Sequence, residues 1–200
     1  SILAEETGAV PGSSECQWVI DPLDGTTNFA NRLGIFAVSI AFVYKGVPVI
    51  GTVLNPDTGE LFTAQKDGGA ALNGDRIIVS SKNNVSDSLL VTGFPYDFKS
   101  FFKPLMHRFE NCLQAARGVR RLGSAALDLC YVACGRFEGF WEQNLQPWDT
   151  AAGIVIAGEA GARITDFTGN SYQFHDKEIL ATNGKIHNQM ISLLELNGLQ

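Results

Sequence analysis

The chain contains the run Trp18-Val19-Ile20-Asp21-Pro22-Leu23-Asp24-Gly25-Thr26-Thr27-Asn28-Phe29, in which an apolar strand ends on two aspartates. Pro22 favours an extended conformation at Asp21, and the residues that follow have the composition of a helix start. Two carboxylates on either side of such a chain reversal can face one cavity, with the Leu23 carbonyl between them. Oxygen ligands of this kind suit hard cations such as Mg²⁺.

The backbone N–H groups of Gly25 and Thr26 lie at the predicted helix start, where they are suited to hold a phosphate oxygen. The same run is, however, equally typical of an ordinary turn followed by a capped helix. Taken alone, it leaves both interpretations open.

Two further acidic segments accompany this run. Ile2-Leu3-Ala4-Glu5-Glu6 places two carboxylates after an apolar stretch, and Pro147-Trp148-Asp149-Thr150-Ala151-Ala152-Gly153 places one at the start of a small-residue helix. In isolation the glutamates would fit a solvated turn and Asp149 an ordinary helix N-cap. Their apolar neighbours disfavour full exposure. Together the three segments supply one glutamate and three aspartates, which is enough for a two-metal site.

The first part of the chain has the composition of a sheet. Residues 18–78 are rich in β-branched and aromatic side chains and are broken by short turn signals, which predict antiparallel neighbours because parallel pairing needs a long crossover. In residues 36–44 large side chains alternate with mostly small ones. This alternation predicts one face packed in a bulky core and an opposite face that a helix approaches closely.

The second part has the texture of an α/β unit. The most polar stretch, residues 80–88, is the predicted boundary between two halves, 1–84 and 85–200. Beyond it we predict strands at 89–92, 137–141 and 179–181, and helices at 100–116, 124–134, 149–160 and 185–194. The predicted fold class is α/β, a layered α+β sandwich with an antiparallel first half, a mixed second half and the active site between them.

Composition excludes several classes of protein. The 200 residues are 45% hydrophobic and 18% charged, which argues against intrinsic disorder and coiled coil. A net charge of −6 without a long basic run disfavours a nucleic-acid partner, and no apolar run reaches the ~18 residues of a membrane span. The four cysteines have no zinc-site spacing, which favours reduced, mostly buried thiols in a cytoplasmic protein, with a plastid stroma fitting equally well. They are Cys16, Cys112, Cys130 and Cys134.

The three acidic segments resemble the three signatures of the inositol monophosphatase family of Mg²⁺-dependent, lithium-sensitive phosphatases. Those signatures are an acidic pair, a W-x-I-D-P-[IL]-D-G-T-x-N-F run and a P-W-D-x-A-A-G run, and they occur here in the family's order at similar spacing. The likeness covers essentially the whole chain. It implies a sugar-phosphatase-like fold, two or three Mg²⁺ ions and a homodimer.

The resemblance also implies a ligand set. The metal ligands would be Glu5, Asp21, the Leu23 carbonyl, Asp24 and Asp149. Asp21 would bridge two ions, with Glu5 and the Leu23 carbonyl on the first ion and both other aspartates on the second. Glu5, Asp21 and Thr26 would form the catalytic set, in which Thr26 and Glu5 orient and help to activate the attacking water.

The implied substrate contacts lie on several segments. They are Asp24, Gly25, Thr26, Gly123, Ser124, Ala125, Glu142 and Asp149. Ser124 is also typical of a helix N-cap and Glu142 of a rim residue, and for Ser124 both interpretations can hold. Arg120 is a candidate to neutralise an acidic neighbour, although a solvated arginine fits as well. The aromatic residues at 137, 140 and 141 are predicted to be core, and the three histidines to be surface or structural.

The chemistry agrees with this picture independently. Two cations can lower the pKa of an attacking water and stabilise a leaving alkoxide, and phosphoryl transfer needs mainly positioning and charge neutralisation, so no Ser, Cys or His nucleophile is required. The predicted reaction is Mg²⁺-dependent hydrolysis of a small sugar or polyol phosphate monoester, with inositol monophosphate the leading substrate. Alternatives are histidinol phosphate, fructose 1,6-bisphosphate and 3′-phosphoadenosine nucleotides. A different alternative is an interaction protein in which the phosphatase site is incidental.

One departure from the family pattern concerns the start of the chain. Members of the family normally carry two helices before the acidic pair, whereas this sequence begins at Ser1 close to that pair. We therefore expect the sequence to start partway along its gene product; in a molecule that began at Ser1, one face of the first sheet would lose its cover.

Overall fold

The structure, a computed structural model, describes residues 1–6, 8–10, 12, 15–95 and 97–196. The remaining residues of the two predicted halves lie outside the described part. Within that part the chain forms two β-sheets with α-helices packed against them, which confirms the predicted α/β class. No helix among the described residues combines the length and the apolar character that a bilayer crossing requires.

The first sheet contains eight of the described strands, in the order β2-β1-β3-β4-β5-β6-β7-β8. From β3 onward the neighbours are antiparallel, as the short turns predict. The pattern at the start of the chain was not interpreted as strands, yet β1 lies parallel to β3 and antiparallel to β2. The strands are β1 Ile2–Ala4, β2 Gly8–Val10, β3 Cys16–Asp24, β4 Ala37–Tyr44, β5 Val47–Asn55, β6 Glu60–Gln65, β7 Gly69–Leu72 and β8 Asp75–Ile77.

The prediction for the two faces of β4 is wrong in one respect. The small side chains of Ala37, Ser39 and Ala41 are the buried ones, whereas the larger Ile40 and Phe42 between them are only half-buried. Small side chains allow a helix to lie close to the sheet, so the helix layer, and with it the core, is on their side.

The second sheet is mixed, as predicted, with the order β10-β9-β11-β13-β12. β9 is parallel to both β10 and β11, whereas β13 is antiparallel to both β11 and β12. The short strands β10 and β12 were not predicted, because three residues give too short an alternation to recognise. The strands are β9 Leu89–Thr92, β10 Gly118–Arg120, β11 Gly139–Gln143, β12 Arg163–Thr165 and β13 Glu178–Thr182.

The helices confirm the four predicted in the second half, within a few residues at each end, and a short first helix begins at the helix start predicted after Asp24. They are α1 Thr26–Ala30, α2 Phe102–Ala115, α3 Ala125–Ala133, α4 Pro147–Glu159 and α5 His187–Leu194. Ser124 is the N-cap of α3, as predicted, and its side chain accepts a hydrogen bond from the Leu127 N–H.

Helices α3 and α4 belong to the second half of the chain but pack on the first sheet. Val53 and Phe62 of that sheet share one apolar cluster with Leu127 and Ile156 of these helices. The contact is close, since a Cβ added to Gly51 on β5 would lie 3.2 Å from the Ala152 Cα on α4. The two sheets lie on either side of the predicted boundary at 84/85, and the division into two halves stays a prediction.

Candidate active site

Two aspartates mark the end of β3. Asp21 is opposite Ser39 and Asp24 is opposite Ala37, and the register of the strand pair shifts between them. The Leu23 N–H donates to Asp21 Oδ1 at 2.9 Å, which closes a local turn. Such an irregularity redirects side chains at the end of a strand. It allows both carboxylates to face the same side of the sheet.

A third aspartate comes from the start of α4. Asp149 lies in the first turn, where its Oδ2 accepts the Gln146 N–H at 2.7 Å in a capping box, rather than at the N-cap itself. Oxygens of Asp21, Asp24 and Asp149 all lie within 4.8 Å of one another. The structure thus brings together three of the predicted metal ligands from two elements that are far apart in sequence.

Glu5 reaches the same place through the parallel pairing of β1 with β3. Ala4 pairs with Ile20, so the next residues in each strand direction, Glu5 and Asp21, lie at the same level of the sheet. Its side chain is exposed and lines the same pocket as Asp24 and Asp149. The predicted first-ion ligands therefore come from two adjacent strands of one sheet.

Asp24 is tied to the start of α3. Its Oδ2 accepts the Ser124 hydroxyl at 2.6 Å and the Ala126 N–H at 2.9 Å. The first amides of a helix have no partner within the helix, and a carboxylate is favoured there. Asp24 occupies that position, so the segment predicted to contact substrate also holds a predicted metal ligand.

Burial and mutual repulsion raise the pKa values of these acids. Burial, followed by the charge of Asp24, raises the pKa of Asp21 to about 8. Burial also raises the pKa of Asp149 to about 7 and that of Asp24 to about 6, although hydrogen bonds lower the pKa of both. Each carboxylate thus lies where negative charge is unfavourable without a compensating cation.

The donor set fits a hard divalent cation. The three aspartates and Glu5 offer only oxygen atoms, which is the ligand type that Mg²⁺ prefers. A bound cation would reverse the repulsion that raises these pKa values. The residues present therefore match the metal that the sequence predicts.

Thr26 and Leu23 are in direct contact. The Thr26 hydroxyl donates to the Leu23 carbonyl at 3.1 Å, and the Thr26 side chain is exposed. Gly25 precedes α1 with φ of 89°, and a Cβ there would lie 3.0 Å from the Ile35 carbonyl oxygen. Only glycine combines this left-handed conformation with such a close approach. The predicted glycine is needed for backbone geometry in addition to any phosphate contact.

The pocket next to the aspartates has a volume of about 530 Å³. Seven of the eight predicted substrate-contact residues line it, all except Thr26, namely Asp24, Gly25, Gly123, Ser124, Ala125, Glu142 and Asp149. Glu142 is 8% exposed, and burial, followed by the charge of Asp149, raises its pKa to about 8. It lies inside the wall of the pocket, so its interpretation as a rim residue is wrong.

A second group of residues also lines the wall of the pocket. Most of them come from the loops after β9 and β11 and from short segments near β10 and β13 and carry no motif by which spacing would identify them, whereas Trp148 lies on α4 within the P-W-D signature. They are Gly93, Phe94, Pro95, Asp97, Arg121, Asn144, Leu145, Gln146, Trp148 and Lys177. Arg121 lines the pocket, whereas Arg120 is exposed, as its alternative interpretation as a solvated arginine has it.

Asn28 joins two parts of the site. Its side-chain amide donates to the carbonyls of Ile35 and Leu122, both at 2.8 Å, and so connects α1 to the loop before α3. Asn28 belongs to the run at residues 18–29, but the sequence pattern predicts no role for it. The bond to the second half of the chain explains why an amide side chain is needed at this position.

The aromatic residues and histidine described next were predicted to have structural roles, and the structure buries or encloses them. Phe137, Phe140 and Trp141 are buried, as expected for core aromatics. His187 is enclosed by the hydroxyls of Thr165 and Thr182. Among the cysteines, Cys112 and Cys130 are buried, whereas Cys16 and Cys134 are partly exposed.

Comparison with known proteins identifies several similar chains. Phosphatase IMPL1, chloroplastic, of Arabidopsis thaliana is 42% identical over 197 residues, covering 95% of this chain and 53% of its own length. Nus factor SuhB of Vibrio cholerae is 44% identical over 202 residues, covering 98% of this chain and 74% of its own. The chain therefore spans about half of the plant relative and about three quarters of the bacterial one.

A solved structure, inositol monophosphatase from Anabaena (Nostoc) sp. PCC 7120, superposes with a TM-score of 0.93. It is 43% identical, and the match covers 96% of this chain and 77% of the other. The model of the inositol monophosphatase family matches residues 1–198. The acidic segments, the two-sheet fold and these matches agree, and the chain belongs to the inositol monophosphatase family, a family of phosphoric monoester hydrolases.

Proposed function

We propose that the protein catalyses Mg²⁺-dependent hydrolysis of a small polyol or sugar phosphate monoester, with inositol monophosphate as the leading substrate. The observation that carries this proposal is the convergence of oxygens from Asp21, Asp24 and Asp149 within 4.8 Å of one another. Two of these aspartates line a pocket whose volume, about 530 Å³, lies within the range typical of small-molecule sites.

The proposed metal ligands are Glu5, Asp21, the Leu23 carbonyl, Asp24 and Asp149. Bound divalent cations supply a lowered pKa for the attacking water and charge stabilisation for the leaving oxygen. Four carboxylates that repel one another are well suited to hold more than one divalent ion. The proposed cofactor is accordingly two or three Mg²⁺ ions.

The remaining chemistry is assigned to the chain's own groups. Glu5 is exposed to the pocket, so its carboxylate can accept a proton from the attacking water. The Thr26 hydroxyl already donates to the Leu23 carbonyl, so its oxygen lone pairs face outward and can orient the same water. Phosphoryl transfer needs mainly positioning of this kind.

Substrate binding is proposed for the opposite wall of the pocket. Glu142 presents a buried carboxyl group to the pocket, which can exchange hydrogen bonds with polyol hydroxyls in either protonation state. Gly123 and Ala125 expose little side chain, which allows a ring to approach α3 closely. Arg121 and Lys177 add positive charge to the wall and attract an anionic substrate.

The test is phosphate release with and without Mg²⁺ on inositol 1-phosphate, histidinol phosphate, fructose 1,6-bisphosphate and 3′-phosphoadenosine 5′-phosphate. We expect metal-dependent turnover of inositol 1-phosphate above the rest. Asp21→Asn keeps the oxygen that accepts the Leu23 N–H, so it should fold, and it should lower turnover by more than about 100-fold. Near-normal activity of this variant would show that the metal assignment is wrong.

A second candidate is a protein-binding role, which the name Nus factor SuhB of the Vibrio relative favours. In this role the chain would bind a component of the transcription machinery and the phosphatase site would be incidental. Affinity capture with wild-type protein and with Asp21→Asn separates the two. A stoichiometric partner retained by the variant, with no phosphate release by the wild type, would support the second candidate.

Homodimerisation and a cytoplasmic or stromal location are also proposals. The proposed homodimer is supported only by the membership of the chain in the family. Light scattering across a range of protein concentrations tests it, and a monomer at all concentrations would overturn it.

A further inference from the structure

Gly93 and Glu142 lie next to each other at the ends of two parallel strands. Thr92, the last residue of β9, is opposite Trp141 on β11, and the Thr92 hydroxyl donates to the Trp141 carbonyl at 2.6 Å. Both residues are buried, so the strands are held together at this level. Gly93 and Glu142 follow directly and both line the pocket.

The carboxylate of Glu142 fills the space that a side chain at position 93 would need. A Cβ built on Gly93 would collide with both carboxylate oxygens and with Cδ of Glu142. Gly93 is outside the positive-φ region that favours glycine. The backbone conformation would therefore accept alanine, and the nearest atoms that an added methyl would meet all belong to the Glu142 carboxylate, which would have to move.

The surroundings leave Glu142 few other positions. Its side chain is buried, and its neighbour Gln143 is held by Arg108, whose Nη1 donates to Gln143 Oε1 at 2.8 Å. Arg108 is itself fixed over the ring of Phe167, 4.5 Å from the ring centroid. The backbone of β11 is thus held from the opposite face of the strand, and a methyl group at position 93 would displace the Glu142 carboxylate from its place against Gly93.

We propose that Gly93 is a positioning residue: its missing side chain fixes the Glu142 carboxylate where it meets the hydroxyl groups of the substrate. This inference rests on the proposed function, because it deepens the role assigned to Glu142. It predicts that position 93 controls the discrimination between phosphate esters with and without neighbouring hydroxyls.

The experiment begins with Gly93→Ala and two substrates. With inositol 1-phosphate, a carboxylate displaced by about 1 Å should lower kcat/KM by about 10- to 100-fold, mostly through KM. With p-nitrophenyl phosphate, which has no hydroxyl groups to bind, the loss should be several times smaller. An equal loss with both substrates would show that Gly93 acts on the metal centre or on folding instead.

A double-mutant cycle provides the matched control. Glu142→Ala removes the group with which the new methyl collides, so adding Gly93→Ala to it should change kcat/KM for inositol 1-phosphate by less than about twofold. If Gly93→Ala costs as much in this background as in the wild type, the proposal is overturned.

Thermal denaturation separates this inference from the proposed function. Gly93→Ala should lower Tm in the wild type and leave Tm almost unchanged in Glu142→Ala, whatever the substrate is. Absence of phosphate release by the wild type, combined with this pattern of Tm values, would refute the phosphatase proposal and keep the contact between Gly93 and Glu142. The same Tm loss in both backgrounds would refute the positioning proposal itself.

Discussion

The hydroxyl of Ser124 donates a 2.6 Å hydrogen bond to the carboxylate of Asp24, 100 residues earlier in the chain. The same hydroxyl accepts the Leu127 N–H at 3.4 Å and so caps α3. One side chain therefore serves the start of a helix and a predicted metal ligand at once. The two interpretations of Ser124 that the sequence left open both describe the residue.

Ser124→Ala should consequently affect stability and metal affinity together. Loss of the cap should cost about 1 kcal/mol. Loss of the bond to Asp24 should raise the pKa of that carboxyl and weaken Mg²⁺ binding by about 10- to 100-fold. Urea denaturation and isothermal titration with Mg²⁺ measure the two effects.

The matched control is Ser88→Ala. Ser88 is equally buried, and its hydroxyl donates to the Asn84 carbonyl at 2.7 Å away from the pocket. The Ser88→Ala variant should be less stable than the wild type and should bind Mg²⁺ with unchanged affinity. If both variants bound Mg²⁺ like the wild type, the bond between Ser124 and Asp24 would have no role in metal binding.

The aspartate cluster predicts how stability depends on pH. The pKa values of Asp21, Asp149 and Asp24, about 8, 7 and 6, exceed the ordinary value of 3.8, so the folded state binds protons more tightly than the unfolded state. In chelator, the free energy of unfolding should therefore fall as pH rises from about 4 to about 8. The stability contributed by protonated aspartates is complete at the low end of this range.

Mg²⁺ should reverse this trend. Since the ions compete with protons for the same oxygens, the increase in Tm on adding Mg²⁺ should grow with pH across the same range. Asp21→Asn, which removes the most strongly shifted group, should flatten the profile in chelator. An increase in Tm that is the same at every pH would contradict the assignment of these aspartates as ligands.

The sequence predicted the parts of the site that lie on long patterns. The run that ends in Asp21 and Asp24 combines a nine-residue strand with a turn, and the segment at Asp149 opens a thirteen-residue helix, so both were identified. Gly93 and Lys177 are single residues beside short strands, and only the tertiary fold brings them to the pocket. Local propensity carries no information on such contacts.

The faces of the first sheet illustrate a different limit. Alternation in β4 correctly indicated a small-residue face that a helix approaches closely, but it wrongly placed the bulky core on the opposite face. The close approach also depends on Gly51 of the neighbouring strand, against which α4 lies. The helix that covers this face is therefore determined by packing between elements and not by the alternation within β4.

Gly51→Ala should therefore be strongly unfavourable. The added methyl would meet the backbone of Ala152, with the Ala152 Cα only 3.2 Å away, and backbone cannot move aside as a flexible side chain can. Overpacking of this kind should lower the free energy of unfolding by about 1–3 kcal/mol. Because Ala152 lies on the same helix as Asp149, Mg²⁺ affinity should fall as well.

Gly158→Ala is the matched control on α4. Its Cβ would have no neighbour within 4 Å and the residue is exposed, so alanine should stabilise the helix by about 0.5–1 kcal/mol. Urea denaturation of both variants checks the opposite signs. Equal changes in the free energy of unfolding would show that backbone propensity, and not the close approach of α4, determines the effect of Gly51→Ala.

His187 predicts a loss of stability in acid that has no connection with the metal site. Its Nε2 lies 2.9 Å from Thr165 Oγ1 and its Nδ1 lies 2.8 Å from Thr182 Oγ1. Thr165 donates its own proton to the Asp166 carbonyl, so it accepts from Nε2–H, and Thr182 is left to donate to an unprotonated Nδ1. The two hydroxyls can therefore satisfy both ring nitrogens of a neutral imidazole.

Burial, followed by the charge of Arg163, lowers the pKa of His187 from 6.5 to about 4. The unfolded state then binds the additional proton, so the contribution of His187 to the free energy of unfolding is complete above pH 6.5 and is lost as pH falls toward 4, with a slope approaching 1.4 kcal/mol per pH unit. His187→Gln should lack this slope, so its difference in free energy of unfolding from the wild type should change with pH, whereas His175→Gln, at an exposed histidine, should keep the slope of the wild type. Urea denaturation between these pH values measures the slope. If the wild type and His187→Gln changed in parallel, the imidazole would already be charged in the folded protein, and the neutral tautomer deduced from the two threonines would be wrong.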